Sequence, residues 1–171
     1  ERGYSVAVAE ANRIGWGASG RNGGQIIGGI TGESKIAARY GDGVADMLWE
    51  KRWRGNAIIC DRIEKRAIEC VLNFGYIDVA LKQRHIEDFH EECEWLERRD
   101  FPYEFRLVLQ DALPDIIGTS AYIGGLINMR NGHLHPLNFC IGEALAAENL
   151  GVRIFEQSPV AKIAHGPRPR V

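Results

Sequence analysis

The sequence predicts an α/β or mixed fold into which a partly antiparallel, strand-rich region is inserted. Three observations point there. A short apolar run over residues 4–10 ends in an acid, Glu10, and leads straight into a glycine-rich tract. Segments with helical spacing alternate with segments of strand character. A strand-rich middle is then succeeded by a further helix and strand.

Each element has its own reason. Residues 4–10 (Tyr-Ser-Val-Ala-Val-Ala-Glu) are almost continuously apolar, as a buried parallel strand requires. Residues 11–31 form a loop in which glycines are interspersed with Trp16, Arg21, Asn22 and Gln25. From Asp42 to Asn73 the pattern is helical, with Val44, Leu48, Ile58, Ile63, Ile68, Val71 and Leu72 mostly three to five residues apart. Asp42 is the expected N-cap, Gly75 comes after the end, and Gly55 weakens or divides the middle. Residues 76–81 read as a strand. Residues 84–99 read as a second helix with Ile86, Phe89, Cys93 and Leu96 on one face, stopped at Phe101-Pro102. Residues 107–118 are a short helical or loop segment containing Pro114. Residues 120–129 are strand-like, and Asn131-Gly132 is a turn signal. Pro136 opens a helix over 137–150 that Gly151 ends. Residues 152–156 and 160–164 read as strands.

Composition narrows the function classes. The chain has 171 residues, 45% hydrophobic and 26% charged, which supplies a core and argues against wholesale disorder. A formal net charge of −2 gives no basic excess for a phosphate backbone, so nucleic acid is not an expected partner. No run is long and apolar enough for a membrane span, so none is expected, and a signal peptide is not expected either. Cys60, Cys70, Cys93 and Cys140 form no C-x-x-C pair and match no zinc spacing; reduced thiols in a reducing compartment, the cytoplasm, are expected. The deviation is glycine, with 20 residues against a usual share of about 7%, many of them between Gly15 and Gly32. Glycine concentrated in one tract lets a backbone approach something closely.

In a dinucleotide-binding βαβ unit, the second strand ends in an acid that accepts hydrogen bonds from the adenosine ribose. Residues 4–10 and Glu10 have that form, yet no glycine fingerprint precedes them; a strand ending in a surface glutamate reads the same way. The loop Gly17-Ala18-Ser19-Gly20-Arg21-Asn22-Gly23-Gly24-Gln25 offers closely spaced N–H groups with little side-chain bulk, suited to a phosphate or a flat ring. It also suits a plain connection.

Taken together, Glu10-Ala11 and the string from Ile14 to Gln25 resemble the second-strand and flavin-loop region of the FAD-dependent D-amino-acid oxidase superfamily. Tyr122-Ile123-Gly124-Gly125-Leu126, Gly132-His133-Leu134-His135-Pro136-Leu137-Asn138, Gly142-Glu143-Ala144-Leu145-Ala146 and Glu156-Gln157-Ser158-Pro159-Val160 are similar to the same family. The resemblance implies a Rossmann-like FAD-binding domain, incomplete here, with an inserted, partly antiparallel β substrate domain. It implies FAD as cofactor and a small amine or amino acid as substrate, the subgroup it most resembles suggesting an acidic tail. A hydride would leave the carbon next to the amine for the flavin, and water would hydrolyse the imine.

By position, the resemblance gives Glu10 the adenosine ribose. Ser19 and Gly20 face the pyrophosphate, with Arg21 nearby. Asn22, Gly23, Gly24 and Gln25 approach the isoalloxazine, and Val160 meets the adenine through its backbone. No catalytic residue is assigned. The expected division is residues 1–75 and 135–171 for the FAD-binding domain and 76–134 for part of the substrate domain. The chain is expected to be a window on a larger enzyme, lacking the glycine fingerprint upstream and a flavin-closing segment downstream. The alternative is a catalytically silent fragment or interaction module without cofactor. A nicotinamide-dependent dehydrogenase would need the upstream fingerprint and not this loop.

Other groupings have simpler readings. His133 and His135 have strand-like spacing, but no third ligand accompanies them, so no metal is expected; His135 beside Pro136 is a structural or pocket-edge candidate. Glu91, Glu92, Glu94, Glu97, Arg98 and Arg99 make a solvated helix face. Trp49 and Trp53 are spaced to pack as a pair. No Ser/His/Asp or Cys/His arrangement supports a nucleophile.

Overall fold

The computed structural model describes residues 3–30, 33–167 and 169–170. Its elements are β1 (Ala7–Ala9), a 3₁₀ turn (Ala18–Gly20), β2 (Gln25–Ile26), α1 (Glu33–Tyr40), α2 (Asp42–Arg66), β3 (Asn73–Ala80), α3 (Gln83–Arg98), β4 (Phe105–Leu109), α4 (Leu113–Ile117), β5 (Gly124–His133), α5 (Pro136–Asn149) and β6 (Arg153–Phe155). The chain divides into two compact units. Unit 1 holds residues 1–24, 49–72 and 134–171, and unit 2 holds 25–48 and 73–133.

In unit 1, β1 pairs in parallel with β6, Val8 opposite Ile154. The expected parallel strand is present, but it is shorter than 4–10 and is not buried: Val6 and Val8 are exposed. Pairing joins the strands along their edges, while the side chains stand on the faces and are buried only where another layer covers them. Helix α5 begins at Pro136 as its missing N–H dictates. Its Gly142 packs on Ile68, whose side chain occupies the space a Cβ would need. The segment 160–164 forms no strand; Ala164 makes only an isolated antiparallel bridge with Arg170.

Helix α2 runs unbroken through Gly55, whose position is open and demands no kink. It stops at Arg66, well before Asn73. The cause is Ala67 in the left-handed region (φ 49°), with the Ile68 N–H donating back to the Ile63 carbonyl in a Schellman-type end. Gly75, expected just past the helix, serves β3 instead: at φ 105° it accompanies a register break between Phe74 and Tyr76.

Unit 2 is built on β5. It pairs antiparallel with β3 on one edge, and with β4 and the short β2 as well. Residues 105–109, expected to be partly loop or helix, form β4, and α4 comes next, closed by Gly118 at φ 68°. The Asn131-Gly132 signal does not make a turn: β5 continues through it to His133. Gly132 is needed there because the Asn73 carbonyl lies where a Cβ would stand, and buried Asn131 uses its Oδ1 to accept the Gly28 N–H at 2.9 Å. Val108, Leu113 and Ile127 form a buried cluster with Ile77, Ile117 and Tyr122 packed against it. On α3 the expected apolar face is present, with Ile86 and Leu96 buried and Phe89 and Cys93 half-buried.

Candidate functional site

The best-connected set of predicted residues lies in unit 1. Glu10 is fixed at the end of β1 by two backbone bonds, its N–H to the Phe155 carbonyl (2.9 Å) and its carbonyl from the Ser158 N–H (2.8 Å). Its Oε1 accepts the Asn12 N–H at 2.8 Å, and its other oxygen has no partner among the described residues. The same segment is stitched again by the Gln157 N–H to the Asn12 carbonyl and by the Ile14 N–H to Glu156 Oε1, both at 2.7 Å. Val160, exposed and in irregular chain, comes two residues after Ser158 and so lies on the stretch tied to Glu10.

From here the chain turns through the glycine loop. Gly15, Gly17 and Gly20 have the spacing G-x-G-x-x-G after a strand. The chain there makes a 3₁₀ turn of three residues rather than a helix, so this is not the phosphate turn of a βαβ unit. Gly20 instead packs on the backbone of Gly15, whose carbonyl occupies the place of a Cβ. Gly24 is bound likewise to the other end of the unit: the Leu134 N–H donates to its carbonyl at 2.8 Å, and a Cβ would overlap the Leu134 carbonyl.

Asn22 braces the loop from inside. Its Nδ2 donates to the Ala18 and Ser19 carbonyls at 2.9 and 3.1 Å, and its Oδ1 accepts the Gly24 N–H at 2.7 Å. The carboxamide is committed at both ends, which leaves only the backbone of this residue for any ligand. Arg21 stacks its guanidinium 4.3 Å from the centroid of exposed Trp16. Ser19 and Gly23 are exposed. The N–H groups of Ala18 and Ser19, at the open end of the turn, have no acceptor among the described residues, and Gly17 has nothing within 4 Å of a built Cβ. A free carboxylate oxygen, exposed amides and an absence of bulk are a donor and acceptor set that suits the ribose and phosphate of a nucleotide cofactor.

His135 caps α5: its Nδ1 accepts the Asn138 N–H at 3.2 Å, while its own N–H donates to the Cys70 carbonyl at 2.6 Å. Burial pushes the Cys70 thiol up, so it stays protonated. Gln25 opens β2 in unit 2, where its Nε2 donates to the Tyr76 hydroxyl at 3.3 Å. Burial, and then the charge of Asp78, raise the Tyr76 hydroxyl above its ordinary range. Tyr76 had no distinguishing signal in the sequence; only the register of β3 brings it to Gln25.

A parallel strand pair ending in an acid and a separate antiparallel sheet define the class of α/β fold seen in glycine oxidase from Bacillus cereus. That structure matches with a TM-score of 0.69 at 18% identity, over 97% of this chain and 43% of that one. The sequence carries the assignment further. Residues 1–171 match the profile of the family described as FAD dependent oxidoreductase, DAO, and the chain belongs to that family. It is 42% identical over 162 residues to a protein of Haemophilus influenzae described as a probable oxidoreductase, OrdL, covering 94% of this chain and 37% of that protein. It is 36% identical over 166 residues to gamma-glutamylputrescine oxidoreductase of Escherichia coli, covering 96% of this chain and 39% of that protein. The chain thus spans less than half the length of these curated relatives. No helix among the described residues is long and apolar enough to cross a membrane.

Proposed function

We propose that this chain is the part of an FAD-dependent amine or amino-acid oxidoreductase that holds the adenosine and pyrophosphate of the cofactor and supplies a portion of the substrate domain. The observation that carries the reading is Glu10: a carboxylate at the end of a parallel strand, with one oxygen spent on the chain and the other available to a ribose hydroxyl. In this reading Ser19 and Gly20 attend the pyrophosphate, the exposed amides of Ala18 and Ser19 donating to it. Arg21 adds positive charge beside them, held in place by Trp16. The backbone of Asn22, Gly23 and Gly24, with Gln25, borders the isoalloxazine. Val160 offers its backbone to the adenine. Residues 1–75 and 135–171 serve the cofactor and 76–134 the substrate, with 25–48 packed in the compact unit that also holds 76–133.

When bound, FAD supplies the redox step, accepting a hydride from the carbon next to the amine. The chain's contribution is binding and orientation. The likeness to gamma-glutamylputrescine oxidoreductase supports an amine with an acidic tail as substrate, gamma-glutamylputrescine among them. Four cysteines present as free thiols suit a reducing compartment, the cytoplasm.

The test is FAD titration of the full-length protein, monitored by the visible flavin spectrum, with Glu10→Gln as the diagnostic variant. Retained ribose hydrogen bonding with lost charge predicts weakened but detectable binding, and Glu10→Ala weaker still. Binding equal to wild type in both variants refutes the assignment of Glu10. A second reading, that the 171 residues alone are a catalytically silent fragment or interaction module without bound cofactor, is favoured by the exposure of β1; the same titration on the isolated chain tests whether it takes up FAD.

A further inference from the structure

Arg130 stands at an irregularity of the unit 2 sheet. Phe74 pairs with Gly132 and Tyr76 with Asn128, so Met129, Arg130 and Asn131 face the single residue Gly75 and Arg130 has no cross-strand partner there. Gly75 reaches φ 105°, a conformation other residues resist. Bulges of this kind re-aim a side chain, and here the side chain meets one aromatic ring from β3 and one from the loop before β4. The guanidinium lies 4.9 Å from the Tyr103 centroid and 5.8 Å from that of Phe74. Tyr103 is itself packed on Phe101, ring centroids 5.4 Å apart. The backbone is pinned as well: the Arg130 N–H donates to Asn128 Oδ1 at 2.9 Å, and the Met129 N–H to the Glu104 carbonyl at 2.9 Å.

The site lacks one thing. The Nε of Arg130 is buried and has no hydrogen-bond acceptor, and no carboxylate of the described residues forms an ion pair with its guanidinium. The nearest acid in sequence beyond Tyr103, Glu104, pairs with Arg106 instead. A guanidinium presents its donors along a planar edge that matches a carboxylate in two parallel bonds. The two rings flank the guanidinium and restrict its orientation, while Tyr103 and Phe74 themselves remain open to solvent, so a ligand can reach the site.

We propose that Arg130 is a carboxylate-binding residue, with Phe74 and Tyr103 as its walls, and that it receives the acidic tail of the amine substrate. The tail assignment rests on the oxidoreductase reading above; the carboxylate site itself does not. Recognition by Arg130 selects acid-tailed amines over neutral ones and leaves the redox chemistry to the cofactor.

Calorimetric titration of the full-length protein with glutarate, and with its neutral diamide as control, tests the site directly, before and after FAD loading. The wild type is expected to bind glutarate and not the diamide. Arg130→Gln is expected to lose at least about tenfold in glutarate affinity, the size of a lost charge-assisted pair. Arg130→Lys keeps the charge without the planar fork and is expected to fall between them; it also carries the test if the Gln variant fails to fold. With FAD bound, Arg130→Gln raises KM for an acid-tailed amine, leaves KM for a tailless amine in place, and leaves the flavin spectrum unchanged. Equal glutarate affinity in wild type and both variants overturns the proposal, as does equal loss of glutarate and diamide binding. If the protein binds glutarate through Arg130 but takes up no FAD, the carboxylate site stands and the oxidoreductase reading falls.

Discussion

Gly20 separates two reasons for a glycine in this loop. The residue is needed because a protein atom stands in its place, or because a ligand will. At Gly20 the first reason already applies: a Cβ would overlap the Gly15 carbonyl, and the Gly15 carbonyl carbon and Cα lie 2.9 and 3.0 Å from it. These are backbone atoms, which cannot swing aside as a side-chain tip can. Gly20→Ala must therefore shift the Gly15–Gly20 contact, at about the 1–3 kcal/mol that overpacking costs. Gly17 is the control. It has nothing within 4 Å of a Cβ and has extended backbone with a negative φ of −83°, so neither a clash nor a left-handed conformation opposes alanine. Gly17→Ala should be neutral, or stabilising by about 0.4–1 kcal/mol through the unfolded chain. The assay is thermal melting of the full-length apoprotein, in which no ligand contributes. A melting temperature for Gly20→Ala at least about 2 °C below wild type is expected, with Gly17→Ala at or above it. If the two variants melt together, the Gly15–Gly20 contact does not require a glycine and these residues answer only to a ligand.

The same structure sets three further outcomes. His135→Ala removes the acceptor of the Asn138 N–H and should cost about 0.5–2 kcal/mol, while His135→Asn, which also caps helices, should restore most of it in the same melting assay. Glu156→Ala frees the Ile14 N–H and should speed its hydrogen exchange, with a loss of about 1 kcal/mol in stability. Asp78 has its carboxyl pushed above the ordinary range, first by burial and then by the charge of Glu92. The folded state therefore holds that proton more tightly than the unfolded chain, and stability falls as pH rises through and above the ordinary carboxylate range. Asp78→Asn should raise the melting temperature near neutral pH and lose its advantage in acid; because Asp78 keeps solvent access, the gain stays under about 1 kcal/mol.

Periodic helices were legible in the sequence because burial alone sets their pattern. Helix α3 has Ile86 and Leu96 in the core as their spacing requires, and α5 starts at Pro136. Features set by long-range contacts were not. Asn131-Gly132 has the composition of a turn, yet the carbonyl of Asn73, far away in sequence, decides that Gly132 lies in a continuous strand. Segment 160–164 has strand propensity without a strand to pair with among the described residues, and propensity without a ladder does not make a sheet. Helix α2 ends at Ala67 although glycine is the usual occupant of that conformation, so composition pointed to Gly75.

The glycine loop shows why its string was readable while its individual roles were not. Gly20, Asn22 and Gly24 are each held by the loop or by its own unit, through a close backbone contact or a saturated carboxamide. Positions held by self-packing tolerate little else. The groups left for a ligand are mostly backbone N–H, at Ala18 and Ser19, and those donors are available with many side chains. If the loop holds the cofactor as proposed, substitution of the bracing residues would disturb binding by deforming the loop rather than by removing a contact. Asn22→Ala is the informative case: it removes three hydrogen bonds at once, and the loss of FAD affinity should be accompanied by faster exchange of the Gly24 amide. Reduced affinity with an unchanged Gly24 amide would mean that the Asn22 carboxamide turns from the loop to the ligand on binding.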